Sequence, residues 1–283
     1  MHQISSREHR LVKHLVKLKK SAQLRQQSNT TVLDGVHLIQ SYLSKGTDLL
    51  APQHLVVSES GLKDKDIIAL INACKYRSET KIFQVTDLVF EKISAVKTST
   101  GIIAHIAIPN DQNQSLKINS QSEHRVLIES IQDPGNLGTM IRTAAAAGIT
   151  DIYLSEDCAD AWSPKTLRAA MGAHFFLTLH RNCDLIYITK NFQGQVLTTS
   201  PHTSHTLYQT DLTVPTAFVF GNEGAGLSKE ILQSADKTIT IPMPGSTESL
   251  NAATALAICL FEQVRQKHYS RQHISKNNKN AKT

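Results

Sequence analysis

Cysteine is scarce in this 283-residue chain: Cys74, Cys158, Cys183 and Cys259 lie far apart, with neither the spacing of a disulfide framework nor the clustered ligands of a zinc site. No apolar leader follows the start, so the scatter predicts a reducing, cytoplasmic setting and no bound metal. No apolar run approaches the ~20 residues that a membrane-spanning helix requires, so no membrane partner is expected. Acidic residues are missing where basic ones gather. Glu8 is the only acid in the first 25 positions, and no acid follows Arg265, although six Lys/Arg do so or stand at that position.

The remaining composition, 40% hydrophobic and 19% charged, is that of a globular protein long enough for two domains, each with its own core. A formal net charge of +6 points only weakly to a polyanionic partner; the distribution of that charge says more. Arg10, Lys13, Lys17 and Lys20 recur at helical spacing, with Leu11, Leu15 and Leu18 on another stripe of the same predicted helix. Such a stripe suits RNA phosphates, and it equally describes the solvated face of an ordinary helix.

From Thr31 to Ile108, apolar runs alternate with amphipathic ones: Thr31 to Leu33, Val36 to Leu43, His54 to Ser58, Asp66 to Cys74, Lys81 to Val85, a helix from Asp87, and Ile102 to Ile108. Residues 1–108 therefore read as a small α/β domain, in which no nucleophile, acid pair or phosphate loop stands out. Residues 109–123, rich in Asn, Gln and Ser, read as a linker. Strands are expected at Val126 to Ser130, Asp151 to Ser155, Phe175 to Leu179, Gln195 to Thr199, Thr216 to Phe220 and Thr238 to Ile241, giving a mainly parallel α/β domain over 124–268. A basic tail, 269–283, is expected to leave it and to be disordered at its end.

Three segments of this second domain carry chemistry. Asp133-Pro-Gly-Asn-Leu-Gly-Thr-Met-Ile-Arg-Thr-Ala144 follows a strand and leads through a Gly-rich turn into an Ala-rich helix from Gly138 to Ala147, so that backbone amides face the strand's carboxyl end. Phe220-Gly-Asn-Glu-Gly-Ala-Gly-Leu227 again joins a strand to a helix, its glycines permitting close approach to a ligand. Its Gly-x-x-Gly-x-Gly spacing is not the dinucleotide fingerprint, which argues against a dehydrogenase. The third segment runs from Ile241-Pro-Met-Pro-Gly245 into a helix opened at Ser249-Leu-Asn251, with Ser249 as the expected N-cap.

In order and in context, these segments resemble the three motifs of the SpoU/TrmH family of RNA 2′-O-ribose methyltransferases, within the knotted SPOUT superfamily. Arg168-Ala-Ala-Met-Gly-Ala-His-Phe175 resembles an element between the family's first two motifs. Ser5 to Lys20 and Leu33 to Ile39 resemble its ribosomal-protein-like substrate-binding domain, with Asp34 where the family more often has Glu. The resemblance implies a knotted parallel-sheet methyltransferase domain behind a smaller α/β substrate-binding domain, and an S-adenosylmethionine cofactor bound bent against Gly221, Ile241 and Leu250. It further implies a homodimer, and structured RNA as substrate, ribosomal RNA before tRNA. The catalytic residues it implies are Arg142, Asn136, Glu223, Ser249 and Asn251.

The family is commonly described with the arginine at the position of Arg142 as general base. A guanidinium stays protonated until about pH 12, so binding the RNA phosphate and stabilising charge on the attacking oxygen suit Arg142 better. Asn136 would position Arg142 or the ribose, and Glu223 would orient the arginine or another donor. Ser249 and Asn251 would bond the substrate phosphate or the pocket backbone. The rival from another class is a non-catalytic RNA-binding protein with a degenerate pocket.

Overall fold

The computed structural model describes residues 1–45, 51–75, 80–96, 98–109, 124–200 and 203–280, with 270–280 as backbone only. The N-terminal half contains β1 (His2–Ile4), α1 (Arg10–Lys20), α2 (Ala22–Ser28), β2 (Thr30–Asp34), α3 (Val36–Ser44), β3 (His54–Ser58), α4 (Lys65–Lys75), β4 (Lys81–Val85), α5 (Asp87–Ile93) and β5 (Ile102–Ala107). The C-terminal half contains β6 (His124–Ile128), α6 (Pro134–Ala146), β7 (Asp151–Leu154), α7 (Pro164–Ala170), β8 (Thr178–His180), α8 (Leu185–Asn191), β9 (Gln195–Thr199), β10 (Thr216–Phe220), α9 (Lys229–Ser234), β11 (Lys237–Ile239) and α10 (Ala252–Asn280). Beyond Pro109, the expected linker lies outside the described residues, as do residues 281–283 of the expected tail.

Two compact units result, Met1–Asp111 with Asp160–Phe175, and Gln112–Ala159 with Phe176–Thr283. The first is built on a mixed sheet of order β1-β4-β3-β5-β2, with β1, β4 and β3 parallel and β5 antiparallel to both its neighbours. α1 buries Leu11, Val12, Leu15 and Leu18 against Val32, Val56, Phe90 and Ile103, which leaves Arg10, Lys13, Lys17 and Lys20 exposed on the far side. Lys19 departs from that exposed stripe: its Nζ donates to the carbonyls of Lys92 and Ser94, both at 2.8 Å, at the negative end of α5.

Asp160–Phe175 lies within the C-terminal half by sequence, yet it packs with the first unit. Arg25, 4% exposed, donates through Nε to Asp160 Oδ2 at 2.7 Å and through a second nitrogen to the Leu18 carbonyl. Thr31 Oγ1 donates to the Trp162 carbonyl at 2.8 Å, and buried His174 donates through Nε2 to the Ala161 carbonyl at 2.7 Å.

The second unit is a six-stranded parallel sheet of order β11-β9-β10-β6-β7-β8. All five residues of β10 are buried, as expected of a central parallel strand covered on both faces. α10 packs along α6.

The elements depart from the sequence expectations at their ends. β1 is too short to show a pattern and exists by pairing with β4. α2 is polar, and its signals are caps: Ser21 Oγ accepts from Leu24 N at 3.1 Å, and Asn29 ends it in the left-handed region at φ 47°. The strand expected at Phe175 to Leu179 is a 3-10 turn over Ala173–Phe176 followed by β8. α6 begins four residues earlier than expected, because Asp133 caps it and Pro134 occupies its first turn. The third-segment helix starts at Ala252 with Asn251 as its cap, so Ser249 is not the N-cap, and it continues to Asn280, through the start of the expected tail.

The buried charge pair supplies a test. Asp160→Ala leaves Arg25 charged and without its carboxylate, which typically costs about 3–5 kcal/mol. Urea unfolding of this variant should show a loss of that order, and Arg25→Met combined with Asp160→Leu should recover most of it; equal losses for the two proteins would contradict the assignment.

Candidate functional site

Parallel strands share one polarity, so β6, β9, β10 and β11 all end at the same edge of the sheet. Strand order reverses between β6 and β10, with β7 and β8 on one side and β9 and β11 on the other. Such a switch point opens a crevice beyond the strand ends. All three chemistry-bearing segments enter it.

The first segment leaves β6 through Ser130, at φ 55°, and turns into α6, where Asp133 Oδ1 accepts from Asn136 N at 2.8 Å. This cap fixes the first helical turn and with it the Asn136 side chain. The second leaves β10 as a tight loop, closed by Asn222 N to Gly226 O at 3.0 Å and Gly226 N to Asn222 O at 2.9 Å. Asn222 also holds the loop from within: its Oδ1 accepts from Gly224 N and Ala225 N, both at 2.9 Å, and its Nδ2 donates to Ser130 O at 2.8 Å. Gly221 has no room for a side chain, since a Cβ there would stand 2.5 Å from Gly226 O and 2.8 Å from Leu227 N. Directly after β6, Glu129 accepts from Ser228 N at 2.8 Å and Ser228 Oγ at 2.6 Å, tying the far end of the loop to the end of that strand.

One hydrogen-bond chain joins the three segments. Asn251 Oδ1 caps α10 by accepting from Ala253 N at 2.9 Å and Thr254 N at 3.2 Å. Its Nδ2 donates to Asn136 Oδ1 at 2.9 Å, and Asn136 Nδ2 donates to Glu223 Oε1 at 2.7 Å. Both amide orientations follow from the ends of the chain, because backbone N–H groups can only donate and an ionised carboxylate can only accept.

Beside this chain is a cavity of ≈ 480 Å³. Gly221, Ile241 and Leu250 line it, as do Glu223, Ser249 and Asn251. Asn136 borders it through its two partners. Arg142 does not line it: this residue is exposed on the third turn of α6, and its side chain makes no hydrogen bond or ion pair among the described residues. The donor that Glu223 meets is thus the Asn136 amide and not Arg142. Among the described residues no three His, Cys, Asp or Glu side chains are grouped to hold a metal, and no helix is long and apolar enough to cross a membrane.

Asn222 and Glu129 were not singled out by sequence. The signal for Asn222 was its place directly after a glycine in a turn, where Asn side chains bond backbone two residues on. Glu129 reads as an ordinary strand residue until its partner Ser228 is known.

This arrangement defines a parallel α/β protein with a pocket of small-molecule size, bordered by polar side chains, beyond the carboxyl ends of β9, β10 and β11. Residues 123–261 match the SpoU rRNA Methylase family, and residues 9–104 match an MRM3-like substrate binding domain. The 23S rRNA guanosine 2′-O-methyltransferase RlmP of Bacillus subtilis is 30% identical over 92% of this chain and 98% of its own length. The 23S rRNA guanosine 2′-O-methyltransferase RlmB of Escherichia coli is 29% identical over 82% and 97%. The crystal structure of an AdoMet-bound rRNA methyltransferase from Sinorhizobium meliloti superposes with a TM-score of 0.78 at 26% identity, covering 93% of this chain and 97% of that one. The chain belongs to the SpoU rRNA methylase family.

Gly221→Ala should lower stability by about 1–3 kcal/mol, because backbone must move to admit the methyl group. Gly245→Ala, in the third segment with nothing within 4 Å of its added Cβ, should stay within about 0.5 kcal/mol of wild type. Chemical denaturation of the two variants side by side distinguishes a required close approach from a generally intolerant loop.

Proposed function

We propose that the protein transfers the methyl group of S-adenosylmethionine to a ribose 2′-hydroxyl of ribosomal RNA, as its 23S-modifying relatives do. The observation that carries this reading is the Asn251–Asn136–Glu223 chain, which binds all three motif segments to one cavity. A degenerate pocket would have no reason to keep three polar side chains in mutual register at an exposed site.

The residues present fit the cofactor. The cavity falls in the range of about 300–1,000 Å³ usual for small-molecule sites. Gly221 presents bare backbone where a Cβ cannot stand, and Ile241, Met243 and Leu250 supply apolar walls for a flat ring. When bound, S-adenosylmethionine supplies an electrophilic methyl group on a sulfonium. Gly221, Ile241 and Leu250 hold its adenosine through main-chain groups and apolar surface.

The chain's own residues then position and stabilise the RNA. Arg142, exposed and with no carboxylate partner among the described residues, binds the phosphate beside the target ribose and lowers the energy of negative charge on the attacking oxygen. Glu223 and Asn251 hold the Asn136 amide, so that Asn136 is ordered before substrate arrives. Ser249, exposed at the cavity mouth, is free to donate to the RNA backbone. Arg10, Lys13, Lys17 and Lys20 neutralise further phosphates from the first unit.

The protein works in the cytoplasm as a homodimer. Ala257, Phe261 and Val264 share one stripe of α10, with Phe261 49% and Val264 37% exposed, an apolar face on a helix that begins at the cavity.

Purified protein should label ribosomal RNA from methyl-labelled S-adenosylmethionine, and transfer to tRNA alone would move the substrate assignment. Arg142→Ala should slow transfer by ~10²–10³ and leave cofactor affinity unchanged. Partial recovery in Arg142→Lys would show that charge suffices, and no recovery that the planar fork is needed. A wild-type rate in Arg142→Ala overturns the role.

A further inference from the structure

The first unit holds a cavity of ≈ 790 Å³ bounded by α1 and by β3, β4 and β5, distant in sequence from every motif residue. Its walls are flat rings. Phe83, half-buried, lies 5.7 Å centroid to centroid from His54 and 6.5 Å from His9. His54 and His105 lie nearly coplanar, ring centroids 5.2 Å apart at an interplanar angle of 3° and joined edge to edge through Nδ1, and His14 meets His105 edge-on at 5.3 Å. Cations stand around it: Arg10, Lys13, Lys17 and Lys81, against the single acid Glu8, which pairs with Lys13.

His14, His54 and His105 are held below the usual imidazole range and so are largely uncharged at physiological pH. Burial lowers all three, and Arg10 and Lys17 add to this at His14, Lys81 and His14 at His54, and His54 and His14 at His105, which reaches about 3. They therefore act as uncharged stacking surfaces and hydrogen-bonding edges, and the positive charge belongs to the lysines and the arginine. His54 Nδ1 and His105 Nδ1 are 2.9 Å apart, so one donates and the other accepts, which couples the tautomers of the two rings. That leaves His105 Nε2 buried without a partner, on a residue 3% exposed that lines the cavity. Leaving such an edge unpaired is costly, so an occupant of the cavity that reached it would gain a hydrogen bond.

Aromatic planes, an unmet hydrogen-bonding edge and a rim of cations match one chemistry, a nucleobase out of its stack with phosphates on either side. We propose that this cavity takes a single unstacked nucleotide of the substrate RNA. Its base lies against Phe83 and His54 within reach of His105 Nε2, and its flanking phosphates rest on Arg10, Lys13 and Lys17. The inference rests on the reading that the protein acts on RNA, and it adds to the basic stripe of α1 a preference for single-stranded over paired RNA.

The test uses the full-length protein and a short single-stranded RNA carrying one 2-aminopurine, whose fluorescence falls when it stacks, with the same strand annealed to its complement as the second probe. Binding should quench the single strand, and the duplex should bind more weakly without quenching. Phe83→Leu should weaken single-strand binding by roughly fivefold or more and remove the quench. Arg10→Gln with Lys17→Gln, both exposed, should keep the quench at saturation but reduce the salt dependence of affinity. Affinity for S-adenosylmethionine, measured calorimetrically, should match wild type in all variants and reports folding. Equal binding of duplex and single strand, or an unquenched probe on wild-type protein, overturns the inference. Methyl transfer to ribosomal RNA by that same wild-type preparation keeps the two failures apart: transfer without quenching defeats only the nucleotide cavity, and quenching without transfer defeats only the methyltransferase reading.

Discussion

The side-chain amide of Asn136 is the point on which the catalytic unit turns. It is held by Asn251 on one side and Glu223 on the other, and each of these is itself fixed, Asn251 by the first turn of α10 and Glu223 by a loop that Asn222 closes from within. Three segments separated by more than a hundred residues from first to last thereby acquire one geometry. The parallel sheet makes this achievable, since strands of like polarity deliver their following loops to one edge and the reversal between β6 and β10 leaves a crevice there. Preorganisation of this kind is what a methyltransferase needs when its nucleophile is a weakly acidic hydroxyl and its own side chains contribute position and charge in place of covalent chemistry.

Much of the architecture was legible because local and global signals agree. The buried parallel strands read as short apolar runs, and the amphipathic spacing of Leu11, Leu15 and Leu18 fixed both the helix and the side on which Arg10, Lys13, Lys17 and Lys20 would lie. Helix starts differ from the apolar pattern where a cap outranks it. Asp133 with Pro134 pulls the start of α6 forward, and Asn251, not Ser249, opens α10, so Arg142 falls two turns into its helix. β1 and the displaced β8 were not legible, because each is three residues long and owes its existence to a distant partner strand.

The site was legible in its residue types and only partly in its connections. Glu223, Ser249, Asn251, Gly221, Ile241 and Leu250 all line one cavity, and Asn136 meets two of them. Spacing along a chain does not say which of several donors a carboxylate will meet, and here Glu223 meets Asn136 while Arg142 stays exposed. The assignment of Asp160–Phe175 to the first unit was likewise beyond sequence patterning, because it depends on Arg25 finding Asp160 135 positions away.

A ribose methyltransferase leaves its methyl group on the sugar and not on the base. Ribosomal RNA incubated with the protein and S-adenosylmethionine carrying a trideuterated methyl group, then digested to nucleosides and resolved by mass spectrometry, tests it directly. The heavy methyl should stay with the sugar fragment of one 2′-O-methylnucleoside, and the adjoining phosphodiester should resist alkaline cleavage. A heavy methyl that leaves with the base would contradict it.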